Sequence, residues 1–519
     1  MTYFLSLIKK IETNALALVL CFVCLFSTSL NAQTWERFYN FYEFDYLKSV
    51  IPTADGGILY LGQSLTNIPP AVETAVIMVK TDRDGHLIWQ RSFTLGFYEE
   101  IFQAIPTSDG NLLIGGLTFD TSGNGSADGW ILKMDLEGSV LWERKYGGSG
   151  WEKILSLQET PDGGFIFAGE TRSGISGDII EAPLNTDSLD AKDSWLGKID
   201  ADGDLLWNHR FGSYEDDFLV SLTITADGDI VSAGNYHTEG IDGSWDISIY
   251  RHDEDGNLLW NEIYGEDGYE NAFSIIQTSD GNFAIGGMTS SQGNGGSDTY
   301  LLQIDSDGEI IDEDVYGGTE GEFAGYVQEM PDGGFSILSC TESFGSDLLD
   351  LYLIRTEPNG DERWSKVYDG GDDRFDVPFS FFIDDNGYYY IVAQQQEKPD
   401  RTTITSAQSY FLKVDALGNT TTNLLTGKVA IDNNNNCIVE NGEKGLEDWL
   451  VIARGIDESF YSTTDVDGNY VIELEVGDYS IDVIPPGEYW EPCEESPFIS
   501  IDSAYDTTEY NLSFNDKAI

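Results

Sequence analysis

The sequence predicts an all-β chain: a seven-bladed β-propeller closed by an N-terminal strand, followed by a small Ig/prealbumin-like β-sandwich. Three observations lead there. An Asp-Gly turn recurs at Asp55, Asp109, Asp162, Asp227, Asp280 and Asp332, and once more as Asn386-Gly387. A second turn keeps the same beat, with Gly85, Gly138, Gly203, Gly256, Gly308, Gly360 and Gly418 as its glycines. Five times a Trp precedes an aromatic by four residues: Trp89/Phe93, Trp142/Tyr146, Trp207/Phe211, Trp260/Tyr264 and Trp364/Tyr368. The steps are close to 53 residues, except one of 65 that carries an insertion at 172–192. A fixed period of this length marks a repeat architecture.

Residues 99–148 show one repeat in full. Apolar runs at 101–105, 112–116, 130–134 and 140–146 are separated by Asp109-Gly110, a Ser/Gly/Asn-rich segment and Glu137-Gly138. Asp-Gly between alternating apolar runs signals a hairpin with a type I′ turn, since both residues tolerate positive φ. The unit therefore reads as four antiparallel strands in a meander. Residues four apart on a strand share a face, so each Trp/aromatic pair is expected to be buried between blades, at about 2–3 kcal/mol per Trp. The fifth repeat has Asp312 in the Trp position, and the seventh has no such pair. The missing pair stands at the other end, where Trp35 to Tyr39 aligns with Trp142 to Tyr146. An N-terminal strand that completes the last blade closes the ring and removes open sheet edges.

The expected domains are a signal peptide at 1–32, the propeller at 33–422 and the sandwich at 424–519. Lys9 and Lys10 precede an apolar run that ends at Ala32, the pattern of an export signal. No later segment reaches transmembrane length. The mature chain is thus expected to be a secreted, extracellular monomer, associated with the cell surface or free. There are 27 Lys and Arg against 91 Asp and Glu, a net charge of −64. Nucleic acid and anionic membranes need a basic face, and none is visible. Cys340 reads as a buried thiol, and Cys437 with Cys493 as a candidate disulfide in an oxidising compartment.

The run KIDADGDLLWN at 198–208 resembles the blade motif of secreted bacterial propeller repeats. It is similar, more distantly, to the tryptophan-docking repeat of quinoprotein-like propellers. That motif implies fold and carries no catalytic residue. Beyond Leu424 the period breaks, with alternating runs at 428–431, 450–453, 470–474 and 479–484. Residues 425–488, with GKVAIDNNNN, NGEKGL and TTDVDGNY, resemble the B-type domain of SD-repeat surface proteins and collagen-adhesin B-type modules.

A twelve-residue loop in this tail is the best metal candidate. Asp432, Asn434, Asn436, Glu440 and Glu443 hold positions 1, 3, 5, 9 and 12, and Ile438 offers a carbonyl at position 7. Hard oxygen ligands at this spacing suit Ca²⁺, although Cys437 replaces the usual position-6 glycine and no helices flank the loop. The resemblance implies Ca²⁺ here too, since SD-repeat B-type domains carry it in a similar loop. Lys428, Glu473 and Asn511 supply the residue types of the internal isopeptide of collagen-adhesin relatives.

Six carboxylates fall six residues beyond the strand-four aromatic: Asp45, Glu99, Glu152, Asp217, Glu270 and Glu322, with Arg374 as the seventh equivalent. Two readings stand: a ligand or cation ring at one mouth of the channel, or carboxylates that accept hydrogen bonds from loop N–H groups. A second set, Asp128, Asp193, Asp246, Asp298 and Asp350, begins strand three. The four His show no ligand or relay spacing, and no nucleophile elbow, phosphate loop or adjacent cysteine pair is present. The expectation is a non-enzymatic binding or adhesion protein whose loop face meets an extracellular glycan or protein, with a calcium-stabilised spacer. The alternative is a polysaccharide-active or cofactor-dependent enzyme.

Overall fold

The computed structural model describes residues 34–516, less short stretches at 40–43, 69–70, 94–97, 120–125, 186–190, 239–243, 347, 371–373, 398–403, 405, 421–422, 435, 441, 448, 456–458, 475–476, 486–489, 494–496 and 502–506. The signal expected at 1–32 lies outside them. All elements among the described residues are strands, and no helix there is long and apolar enough to cross a membrane. The chain divides into two compact units, residues 36–419 and residues 420–519.

The first unit is a propeller-like series of four-stranded antiparallel sheets. Glu99–Pro106, Leu112–Thr118, Asp128–Met134 and Val140–Tyr146 pair in sequence order, and four later sheets repeat this meander. The strands Phe44–Pro52 to Leu87–Phe93 and Phe375–Ile383 to Ser406–Val414 share one larger sheet, in which Trp35–Tyr39 pairs with Ser406–Val414. The first strand of each repeat packs on that of the next. Phe375–Ile383 packs on Phe44–Pro52, so the series returns to its start.

The turns differ from the expected type. Only the glycine has positive φ, as at Gly56 (86°), Gly110 (83°) and Gly163 (83°), while the preceding Asp stays on the negative side. Gly110 N–H donates to the Thr107 carbonyl, and Thr107 N–H to the Asn111 carbonyl, both at 2.9 Å. This is a type I turn followed by a glycine bulge, the favoured three-residue hairpin loop. A type I′ turn would require positive φ at the Asp as well. The Asp side chain instead braces the turn from within, Asp109 Oδ1 accepting from the Thr107 hydroxyl at 2.5 Å.

The strand-four pairs join neighbouring repeats. The hydroxyls of Tyr146, Tyr264, Tyr316 and Tyr368 donate to the carbonyls of Gly203, Gly308, Gly360 and Gly418, at 2.6, 2.6, 2.5 and 2.7 Å. Each acceptor lies in the last turn of the following repeat. The paired indoles lie against the same turns, where a Cβ on Gly203 or Gly418 would press on Trp142 or Trp364. These indoles are half-buried rather than sealed between sheets. The fully buried ones are Trp130 and Trp195 on strand three, because strand four forms the outer edge. Tyr316→Phe is expected to destabilise the chain by about 1 kcal/mol, read from the midpoint of urea unfolding.

The second unit consists of two sheets around one core. Asn423–Ile431 pairs with Asn469–Leu474, Thr507–Glu509 and Leu512–Asp516, and Leu450–Arg454 with Ser459–Thr463 and Gly477–Ile484. Leu425, Trp449, Val451, Ile472, Ile481 and Phe514 fill the space between them.

Candidate functional site

The first strands of all seven repeats line a cavity of about 390 Å³. Each of these strands bulges in mid-course, as between Leu47 and Ser49 or between Ile101 and Gln103. A bulge re-aims the extra side chain, and here the bulged residues include Lys48, Phe102, Leu155, Val220, Phe273 and Phe379. All six line the cavity, with Tyr326. Beside them, side-chain hydroxyls and amides bridge neighbouring strands. Ser49 Oγ accepts from Ala104 N–H at 2.9 Å, Gln103 Oε1 from Leu157 N–H at 2.6 Å, and Ser274 Oγ from Val327 N–H at 2.8 Å.

Lys48 is the one acidic or basic side chain among the described lining residues. Its Nζ stands 3.5 Å from the centre of the Phe379 ring, and burial pushes the amine down to about 8 while Glu100 partly opposes this. Lys153 continues the basic character, with its Nζ 5.8 Å from the Phe102 ring. Lys153, Arg172 and Lys192 also surround the buried Glu170, at 3.7, 3.8 and 3.7 Å. Two of these cations flank the 172–192 insertion. Sequence reading singled out the insertion but missed its charge, because one Lys or Arg in each of three separate segments leaves no run to see.

The carboxylate series does not line the cavity. Asp45, Glu99, Glu152, Asp217, Glu270 and Glu322 are buried, at most 4% exposed. Glu152 accepts from Gly148 N–H at 2.9 Å and the Thr171 hydroxyl at 2.8 Å, and Glu322 from Gly318 N–H at 3.0 Å and the Thr341 hydroxyl at 2.6 Å. Strand register also changes the seventh member. Glu99 faces Thr118 and Glu152 faces Thr171, and the residue facing the corresponding Gln395 is Asp376. Arg374 precedes that strand. The offset arises because the last loop is two residues longer than its counterparts, so that counting from the aromatic stops short.

Burial pushes Glu99, beside Thr74, Glu143 and Lys145, and Asp217, beside Ser213, His237 and Asp193, up to about 7. Such a group binds its proton more tightly when folded, so its contribution favours folding at low pH and fades as pH rises from its unfolded to its folded value. Turn carboxylates such as Asp162 and Asp332, held at about 2 by Lys198 and by Arg363 with Arg355, act below that window. The melting temperature of metal-free protein is therefore expected to fall between about pH 5 and 7. A flat or rising profile in chelator would contradict this.

In the second unit the twelve-residue loop is wrapped by its own carboxylates. Asp432 accepts from Asn434, Asn436 and Cys437 N–H at 3.1, 3.3 and 2.7 Å, and Glu443 from Asn433 and Glu440 N–H at 3.0 Å each. Cys437 takes the left-handed conformation, φ 61°, that a position-6 glycine normally supplies. Asn434 Nδ2 donates to Glu440 Oε2 at 2.9 Å, and Ile438 is exposed. The donor set is hard oxygen, which fits Ca²⁺. Among the described residues, the three acidic or thiol groups with ligand atoms within 4.8 Å of one another are Asp432, Cys437 and Cys493. Both thiols are unjoined, and burial, with Cys437 and Asp432 alongside, pushes the Cys493 thiol up to about 11. Lys428 Nζ donates to the Glu443 carbonyl at 3.3 Å, and Asn511 Oδ1 accepts from Lys428 N–H. Cys340 is buried as expected.

No family model matches the chain. The regulatory protein FlaEY of Caulobacter vibrioides is 29% identical over 140 residues, 26% of this chain, which thus spans 15% of that protein. Solved structures similar in fold include the β-propeller domain of the Trilobed protease from Pyrococcus furiosus, 14% identical, TM-score 0.39, covering 73% of this chain and 97% of that one. Another is the acylaminoacyl peptidase of Pyrococcus horikoshii, 14% identical, TM-score 0.40, covering 81% and 58%. Both belong to peptidases, and this corrects the expectation of a non-enzyme: lack of a sequence motif does not set catalysis apart from such a scaffold. The likeness itself is one of fold and assigns no activity.

Proposed function

We propose that the chain is an exported ligand-binding protein in which seven blades close a ring and the central cavity recognises an acidic extracellular glycan. The basic side chains carry the reading: Lys48 lines this cavity, Lys153 stands by its Phe102, and Arg172 and Lys192 share Glu170 with Lys153, in a chain of net charge −64. Aromatic rings such as Phe102, Phe273 and Phe379 offer faces to sugar rings, and the amines pair with carboxylate or sulfate groups. An Ig/prealbumin-like C-terminal sandwich of the SD-repeat B type acts as a module stiffened by Ca²⁺ at Asp432, Asn434, Asn436, Ile438, Glu440 and Glu443. On export, oxidation joins Cys437 to Cys493. The secreted chain works as a monomer, and adhesion to a glycan- or protein-coated surface is its role.

Glycan arrays and calorimetry on the full chain test this. Lys48→Met and Lys153→Met are each expected to weaken binding of an acidic glycan about tenfold. Binding unchanged in both variants would remove the cavity as the site. Product release from the same panel, lost in Lys48→Met, would replace binding with catalysis; the lowered amine at Lys48 favours that second reading.

A further inference from the structure

The first strand of one repeat and the third strand of the repeat before it bring their carboxylates together. At three successive junctions the doublets are Asp246 with Glu270, Asp298 with Glu322, and Asp350 with Asp376. All six are buried, between 0% and 8% exposed. A Cβ on Gly317 would overlap both Asp298 and Glu322, and one on Gly265 or Gly370 would meet Asp246 or Asp376. Gly317 thus keeps open the space that Asp298 and Glu322 share, and Gly265 and Gly370 leave room beside one member of each of the other doublets.

One repeat earlier the protein fills the equivalent space with its own cation. Arg210, its side chain 2% exposed, places Nε 3.3 Å from Asp193 Oδ2 and donates to the Ser173 carbonyl and the Thr171 hydroxyl. It stands one residue before the strand-four aromatic. The corresponding residues are Ile263, Val315 and Val367, and methyl groups of Val315 and Val367 lie beside the glycines next to Asp298 and Asp350. Among the described residues none of the six carboxylates forms an ion pair. At the first and third junctions the hydrogen bonds are incomplete as well. Asp246 Oδ1 is buried without a donor, and so are both oxygens of Asp376, the Gln395 amide beside it being turned to the Gly370 carbonyl at 3.3 Å.

We propose that these three junctions bind divalent cations of the hard, oxygen-seeking class to which calcium belongs. Two buried like charges with open lone pairs require a cation or a shared proton. The surroundings favour the cation. At the middle junction the oxygens of Asp298 and Glu322 face one another across the side-chain-free Gly317, and at the other two the hydroxyls of Ser291, on Glu270 at 2.5 Å, and Ser346, on Asp350 at 3.0 Å, add oxygen ligands. Asp298 and Asp246 are raised above the ordinary carboxylate range by burial, with Glu322 and Glu270 adding to it.

The test counts metal bound to the full chain after chelator treatment and Ca²⁺ titration, and follows the melting temperature. Wild type is expected to bind Ca²⁺ and to melt about 5 °C or more higher when saturated. Val315→Arg, which copies the Arg210 arrangement, should bind one ion fewer and melt higher than wild type in chelator. Glu322→Gln should also bind one ion fewer, and gives the count even if the arginine variant fails to fold. The C-terminal loop contributes equally to all three chains. Identical metal counts in all three would overturn the proposal. So would a melting temperature that ignores Ca²⁺ at every pH.

Discussion

A chain from which the strand Trp35–Tyr39 has been deleted is expected to melt at least about 5 °C below wild type, with a broader transition. That strand pairs with Ser406–Val414. Glu36 accepts from the Tyr410 hydroxyl at 2.8 Å, and Arg37 Nη2 donates to the Asp84 carbonyl at 3.5 Å, in the last turn of the first repeat. Without it a row of backbone donors and acceptors is left open, Tyr410 loses its partner, and the first and last repeats lose a shared support. Differential scanning calorimetry of the two chains decides it. An unchanged melting temperature would mean that packing of the first strands alone holds the series closed.

The second large effect is expected at Gly169. A Cβ there would overlap the Lys153 carbonyl, and Gly62, Gly116, Gly234 and Gly287 stand in the same relation to Tyr46, Glu100, Phe218 and Asn271. In these five repeats the bulge turns a carbonyl toward its neighbour and leaves no room for a Cβ. The sixth repeat shows what a side chain does. Ser339 takes this place, its hydroxyl donating to the Phe323 and Ala324 carbonyls at 2.9 and 3.1 Å. There the bulge widens and Ala324 is forced to φ 76°. The seventh repeat carries Ala393 opposite Pro378. Gly169→Ala, made where the bulge is narrow, is expected to cost about 2–3 kcal/mol, measured by urea unfolding. A loss below about 0.5 kcal/mol, the usual surface range, would show that the bulge rearranges freely.

These effects explain what could be read in advance. Turn glycines and strand-four aromatics are local, repeat at a fixed step, and so announced four strands per repeat and the strand Trp35–Tyr39 as the missing fourth. What depends on register was out of reach. Asp376 is found only once its strand is paired with Tyr389–Glu397, and the doublets of Asp298 with Glu322 join residues from different repeats. Lys153 and the edges of the insertion likewise meet, around Glu170, only in the folded chain. In the second unit the spacing from Asp432 to Glu443 marked the loop. That Cys493 reaches the same carboxylate follows from the pairing of Trp490–Pro492 with Leu512–Asp516, which no local pattern encodes.

The contact between Glu36 and Tyr410 spans 374 residues. During synthesis the strand Trp35–Tyr39 is made before every repeat, yet its partner emerges only after six repeats have been completed. Until then it is an unpaired edge strand on a growing chain, and every repeat presents a free edge of the same kind for other strands to occupy. Closure is thus the slowest contact by topology, and the order in which the polymer is made runs against the order in which the ring is sealed.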